Sequence, residues 1–315
     1  VLVESGALWN RGWLISGKMG LDVSLPGACL ESEREEPVDY TAWWYTCVPL
    51  SLAREDNLPL PFFVRGDDVE YGLRNARHIL LLNGICIWHE PFENKYAPYT
   101  DYYILRNQLI GNAIHNQTFS LQEIQSHVKN RVMEEVYMYR YGNARLLMDA
   151  VEDFLKGVDW LKQTDAQALH QEILKKGGKF LSPEETAPLF DRKSYEKSIA
   201  AKAELPFFHK VVRRLTVNGT FLPSAVPMVS VPVLGNLEIN VYRAEKALYY
   251  DKATGRGFVA RKDPKQAKDC LKRLHRLERQ LSAEYEKTNN QFRQRYRELT
   301  NRTFWRAYLG LPPQR

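Results

Sequence analysis

The sequence predicts an α/β fold in which short strands and turns lead into a mostly helical region with a small β insertion. Three observations predict it. Residues 1–118 are rich in Trp, Gly and Pro and hold only short apolar runs. Residues 99–205 read as helical, as does the long segment from Pro264 to about 300, with apolar side chains at helical spacing. Between them, residues 210–262 read as a small β segment with a glycine-containing turn. At 315 residues, 44% apolar and 12% aromatic, the chain is long enough for two domains and a sizeable core, which excludes a disordered chain.

Taken in order, the N-terminal strands fall at 1–9, 11–15, 61–65 and 79–87, separated by turn residues. The chain starts inside the apolar run VLVESGALWN and reads as a truncated chain. A helix is expected over about 68–77, with Asp67 and Glu70 spaced as N-cap and N3. SLQE at 120–123 is a capping box, after which Leu121, Ile124, Val128, Val132 and Val136 repeat at helical spacing. Gly142-Asn143 interrupts, and Leu147, Val151, Phe154 and Val158 mark the next helix. Further helices fall near 164–176 and 192–204; Gly177-Gly178 reads as a helix stop, since no Walker spacing follows. NLEINVYR alternates, and ALYYDKATGRGFVARK reads as a hairpin turning at Gly255 and Gly257. Pro264 opens a long charged helix to about 300, with Leu271, Leu274, Leu277 and Leu281 on one side. The tail FWRAYLGLPPQR reads as packed on the body, with contact at a membrane interface as the alternative.

The net charge is 44 − 38 = +6, which favours anionic partners such as phosphates, diphosphates or an anionic membrane face. Cys29, Cys47, Cys86 and Cys270 match neither a zinc nor a redox spacing and read as reduced, buried thiols. The Asn-x-Thr tripeptides at Asn116, Asn218 and Asn301 read as chance. HILLLNGICIWH is too short and broken to span a bilayer, and AVPMVSVPVLG carries Pro227 and Pro232, so the chain reads as soluble or peripheral.

Three segments of the first hundred residues hold the chemistry. They are DYTAWWYTCVPL with Trp43 and Trp44, RGDDVEYGLR with Asp67, Asp68, Glu70 and Arg74, and IWHEPF with Trp88, His89 and Phe92. Singly, each has an ordinary reading: core tryptophans, a helix cap, a structural histidine. Together they hold the parts of a group-transfer site. Two adjacent carboxylates repel unless a cation, a proton or a polar substrate resolves the charge. A carboxylate ionised at a helix N-terminus accepts a proton from a hydroxyl. A neutral imidazole binds a divalent cation, and indole faces stack on the C–H faces of a sugar.

WWYTC, GDDVEYGLR and IWHEPF, followed by YYILRN at 102–107, resemble the acceptor half of the family 2 glycosyltransferases, and more closely the polymerising galactofuranosyltransferases that extend a lipid-linked galactan. The resemblance is strong over residues 1–115 and weaker out to FWRAYLGL. It implies the acceptor-side half of a GT-A domain over 1–118 and a helical C-terminal domain over 119–315 that contains the β insertion. It implies transfer of galactofuranose from UDP-galactofuranose to a hydroxyl of a glycan, polyprenyl-diphosphate-linked in the close relatives, by one inverting displacement. Asp68 matches the catalytic base, and Asp67 the residue that holds acceptor hydroxyls. His89 matches a ligand of Mn²⁺ or Mg²⁺, and Trp43 and Trp44 the aromatic pair beside the acceptor. Trp88 flanks the metal site, and Arg106 and Asn107 approach the diphosphate or support the site. The close relatives are peripheral on the cytoplasmic membrane face.

The chain departs from the pattern at Phe92, where the family has tryptophan, and at Gly66, where close relatives often have tryptophan. No Asp-x-Asp metal motif precedes Val1, so this chain alone is expected to lack most of the donor site and to be inactive. Two rivals stay open: a family 2 transferase of rhamnose or a hexopyranose, and a non-catalytic glycan- or membrane-binding module. A nucleic-acid role is set aside, because Asp and Glu interleave with the Lys and Arg of 264–300 and no RNA-binding signature occurs. A homo-oligomer is left open.

Overall fold

The computed structural model describes residues 1–11, 13–89, 96–200, 207–235 and 238–312. It is a mixed α/β fold with small sheets and a helical C-terminal region. A hairpin of β1 (Ala7–Asn10) and β2 (Trp13–Ser16) opens the chain, paired from Ala7↔Ser16 to Asn10↔Trp13. The short helix α1 (Pro26–Ser32) follows, then α2 (Asp67–Asn75). The helical body comprises α3 (Tyr99–Ile114), α4 (Leu121–Tyr137), α5 (Tyr141–Leu155), α6 (Gly157–Gln163) and α7 (Ala166–Lys176). Three further helices succeed them: α8 (Pro183–Thr186), α9 (Arg192–Ala200) and α10 (Phe207–Leu215). A three-stranded sheet is built from β3 (Val226–Pro232), β4 (Ala244–Tyr250) and β5 (Gly257–Arg261), before α11 (Pro264–Arg295) and α12 (Arg302–Tyr308) close the chain.

The sheet has the order β3-β4-β5, with β3 parallel and β5 antiparallel to the central strand. The β4–β5 hairpin forms as its sequence predicts, with Gly255 in the turn at φ 68. NLEINVYR does not form a strand: Glu238–Val241 is a 3₁₀ turn, and Asn236 and Leu237 lie outside the described residues. The amphipathic α10 forms where a β segment was expected to begin.

The core is centred on α5, which packs against α3, α4 and α11. One continuous cluster runs from Leu60 and Phe62 through Tyr102, Leu105 and Leu109 of α3 to Leu274, Leu277 and Leu281 of α11 and Phe304 of α12. The capping box of α4 is present: Ser120 accepts from the Glu123 backbone N–H, and Glu123 accepts from the Ser120 N–H. Asp263 caps α11 by accepting from the N–H groups of Lys265 and Gln266.

Several expectations are corrected. Residues 61–65 are not a strand, because Phe63 and Arg65 sit at φ 69 and 66, in the left-handed region that no ladder accommodates. Residues 79–87 are not a strand either. Leu80 and Leu82 are 81% and 59% exposed, and among the described residues the segment has no ladder partner. The α4–α5 break falls at Tyr139 (φ 60), not at Gly142-Asn143, which lie inside the first turn of α5. Gly142 serves a close approach instead: a β-carbon there would meet the Lys176 carbonyl oxygen at 2.7 Å. Cys29, Cys47 and Cys86 are exposed, and only Cys270 is buried as expected. The aromatic tail packs: Phe304 is buried, and the Trp305 indole N–H donates to the Pro59 carbonyl at 2.9 Å.

Candidate active site

The site is built on a loop and the helix that follows it. Residues 60–66 turn twice within themselves, the Phe62 N–H donating to Leu60 O and the Val64 N–H to Phe62 O. The loop ends at Gly66, the N-cap of α2, at φ 85, where any residue with a β-carbon is strained. Asp67 and Asp68 occupy the first helical turn, so the N-cap belongs to Gly66 and not to Asp67 as the spacing predicts.

Two buried residues of α3 hold this loop. The Arg106 guanidinium donates to Phe62 O at 2.9 Å and, through Nε, to Asn107 Oδ1 at 2.9 Å. The Asn107 amide then donates to Val64 O and Arg65 O at 3.0 and 2.6 Å. Arg106 also reaches the Tyr102 hydroxyl, which donates to Asp153 Oδ2 at 2.6 Å. Arg106 is therefore a support of the site; at 2% exposure it is closed off from any diphosphate. Glu70 and Arg74 are structural in the same sense. They pair at 3.1 Å, and Arg74 donates to Asn57 Oδ1 and Leu58 O.

Asp67, Asp68, Trp43, Trp44 and Asn107 line one cleft of about 560 Å³, together with Glu4 and Tyr40. Asp68 is oriented by two donors: the Val69 N–H to Oδ1 at 2.8 Å and the Tyr40 hydroxyl to Oδ2 at 2.5 Å. A carboxylate offers about four lone-pair sites, so capacity is left on both oxygens for a substrate hydroxyl. Burial pushes the Tyr40 phenol far above its ordinary pKa, and the Asp68 charge adds to this, so Tyr40 keeps its proton and stays a donor. Asp67 is raised from the ordinary carboxylate value, first by burial and then by the Asp68 charge. The helix N-terminus was expected to lower it; desolvation outweighs that dipole here. Glu4 is raised by the same two causes.

Trp43 packs edge-on to Tyr71 at 5.1 Å, which fixes its ring beside the acids. Trp44 stacks on the His89 imidazole at 4.2 Å and 11°, and His89 is not among the cleft-lining residues. Trp88 is 92% exposed and outside the cleft, and Phe92 lies outside the described residues. Among the described residues no three His, Cys, Asp or Glu side chains converge so as to hold a metal ion. They do not make up a metal site by themselves, and no step below is routed through a cation.

Sequence reasoning missed Tyr40 and Glu4. Tyr40 lies in the DYTAWW segment, but its reach to Asp68 depends on pairing with Ala7 in the hairpin, where backbone hydrogen bonds run both ways.

Comparison with known proteins bears on this site. No family model matches the chain. Two curated relatives do. The galactofuranosyltransferase GlfT2 of Mycobacterium tuberculosis is 33% identical over 146 residues, 44% of this chain and 23% of that protein. The galactofuranosyltransferase GlfT2 of Mycolicibacterium smegmatis is 34% identical over 129 residues, 39% of this chain and 20% of that protein. The chain is similar to galactofuranosyltransferases. The matched stretch spans about a quarter of the relatives' length or less. The similarity supports a glycosyltransferase relationship. Among the described residues no helix is long and apolar enough to cross a membrane.

Proposed function

We propose that the protein takes part in glycosyl transfer, moving galactofuranose from UDP-galactofuranose to a hydroxyl of a lipid-linked glycan met at a membrane face. The observation that carries this reading is the meeting of Asp67, Asp68, Trp43 and Trp44 in one cleft. A non-catalytic module predicts an acid pair turned to backbone or solvent with no cleft joining it to His89; Asp67 and Asp68 line a cleft walled by indoles, and His89 meets that wall only through its stack on Trp44.

In this reading the acceptor sugar lies against the Trp43 and Trp44 rings, which take up its C–H faces and exclude water. Asp67, with its raised affinity for a proton, engages a neighbouring hydroxyl. The Asp68 carboxylate, held in plane by Val69 and Tyr40, receives the proton of the attacking hydroxyl as its oxygen bonds to the anomeric carbon. The bond from that carbon to the diphosphate oxygen breaks, UDP leaves with the electron pair, and the configuration inverts. Should a divalent cation take part, it would neutralise the departing diphosphate, and His89 is the residue the family resemblance assigns to hold it.

The test uses the protein in its full natural length with UDP-galactofuranose and a lipid-linked galactofuranosyl acceptor in vesicles. Asp68→Asn is expected to lower turnover by about 10²–10⁴-fold while acceptor binding persists. Wild-type turnover in that variant would remove Asp68 as the base. Faster transfer from dTDP-rhamnose or a UDP-hexopyranose would reassign the donor.

A further inference from the structure

A second, larger groove of about 910 Å³ lies on the other side of the same loop. Pro61 and Phe63 form one wall, the α6–α7 turn at Gln163–Gln167 a second, and α12 with the Leu309 that follows it a third. The loop is thus shared: Pro61 and Phe63 face this groove, while Arg65, Gly66 and Asp67 line the acid cleft.

Phe63 is the feature that calls for an explanation. Its backbone is left-handed at φ 69, yet its ring is 47% exposed. A β-carbon in that conformation costs energy, and so does an aromatic face left to water; such strain gathers where a ligand is met. The ring lies tilted beside His170 at 5.1 Å and Tyr103 at 6.0 Å, which support it from one side. Across the groove, the Trp305 indole spends its N–H on Pro59 O, leaving its ring body for apolar contact beside Tyr308 at 5.6 Å. Polar groups alternate with these rings. Gln163, Gln167 and Thr303 are exposed, and the Lys162–Glu298 pair at 3.2 Å closes one end. Aromatic faces alternating with amides and a hydroxyl suit a ligand whose own surface alternates C–H faces and hydroxyls. An acyl or prenyl chain would strand those amides.

We propose that this groove is a second saccharide-binding site, which holds the acceptor glycan away from its reacting end. The inference rests on the glycosyl-transfer reading for its biological sense, but saccharide binding is measurable without transfer. Calorimetric titration with a linear galactofuranosyl hexasaccharide is expected to give about three- to tenfold weaker binding in Phe63→Ala. Gln167→Ala, a change on an exposed helical position, should weaken it in the same direction. In transfer assays Gln167→Ala, which lies outside the loop that carries the acids, should raise KM for the hexasaccharide and leave KM for a disaccharide acceptor unchanged, since the reacting disaccharide occupies only the acid cleft.

Unchanged hexasaccharide affinity in both variants would overturn the proposal. So would displacement of the hexasaccharide by an alkyl chain carrying no sugar, which would assign the groove to lipid. Transfer that proceeds normally with both variants behaving as wild type removes the groove alone. Variant-sensitive binding without any transfer upholds the groove and removes the transferase reading.

Discussion

Asp67 and Asp68 are neighbours in the chain and unlike in their surroundings. Asp68 accepts two hydrogen bonds, from Val69 and Tyr40, which hold its carboxylate in one plane. Asp67 is half-buried beside that charge, and its affinity for a proton is raised from 3.8. The sign of the consequence follows from linkage. The folded state holds this proton to a higher pH than the unfolded chain does, so stability falls as pH rises through that window. Asp67→Asn removes the cost. The variant should match wild type below the ordinary carboxylate range and be more stable at neutral pH, as urea midpoints across the pH range would register. Lower stability of the variant at neutral pH would mean that Asp67 is held ionised. The doublet was legible because adjacent like charges need a physical reason. Tyr40 was not: a tyrosine between Asp39 and Thr41 has no spacing signal, and its partner lies 28 residues on.

At the scale of elements, the acid pair depends on a loop that cannot hold itself. Leu60–Val64 is apolar and reads as a strand, but α3 captures its carbonyls from 42 to 44 residues away and bends it through two left-handed residues. Long-range capture of this kind leaves no periodicity in the local sequence, which is why the strand expected at 61–65 was wrong. The helices were legible for the converse reason: the Ser120–Glu123 box, the Asp263 cap and the leucine row of α11 are local signals that packing reinforces. The role of α3 in the site was only half legible. Arg106 and Asn107 stood out by resemblance, yet one of their two readings, contact with a diphosphate, is closed to the buried Arg106. Asn107→Ala tests the supporting reading. It strips the donor from two loop carbonyls, so a loss of about 1–3 kcal/mol in unfolding free energy is expected. Turnover should fall with it, because Gly66 and the acids move when the loop relaxes. Unchanged stability would show that the left-handed turns at Phe63 and Arg65 form without α3.

Across the whole molecule, one core joins the segment around Leu60 to the helical body, and a buried ionic pair sits where that body meets the sheet. Arg140, in the α4–α5 turn, donates to Glu135 at 2.6 Å, and its guanidinium lies over the rings of Tyr249 on β4 and Tyr96. Among the described residues Glu135 Oε2 and Arg140 Nε find no hydrogen-bond partner, so the pair is incompletely satisfied there. Burial drives the Glu135 carboxyl up from 4.5 to about 7, against the pull of Arg140. Between those two values the folded protein keeps a proton that the unfolded chain has released, so stability contributed at this site is full below pH 4.5 and lost by about pH 7. Glu135→Gln mimics the protonated form. It should follow wild type at low pH and gain on it as pH rises from 4.5 to about 7, by on the order of 3 kcal/mol. The opposite result is equally informative. A variant weaker than wild type by about 3–5 kcal/mol at high pH would mean that the ion pair, once formed, outweighs its own desolvation, and that the junction of helices and sheet is held by charge.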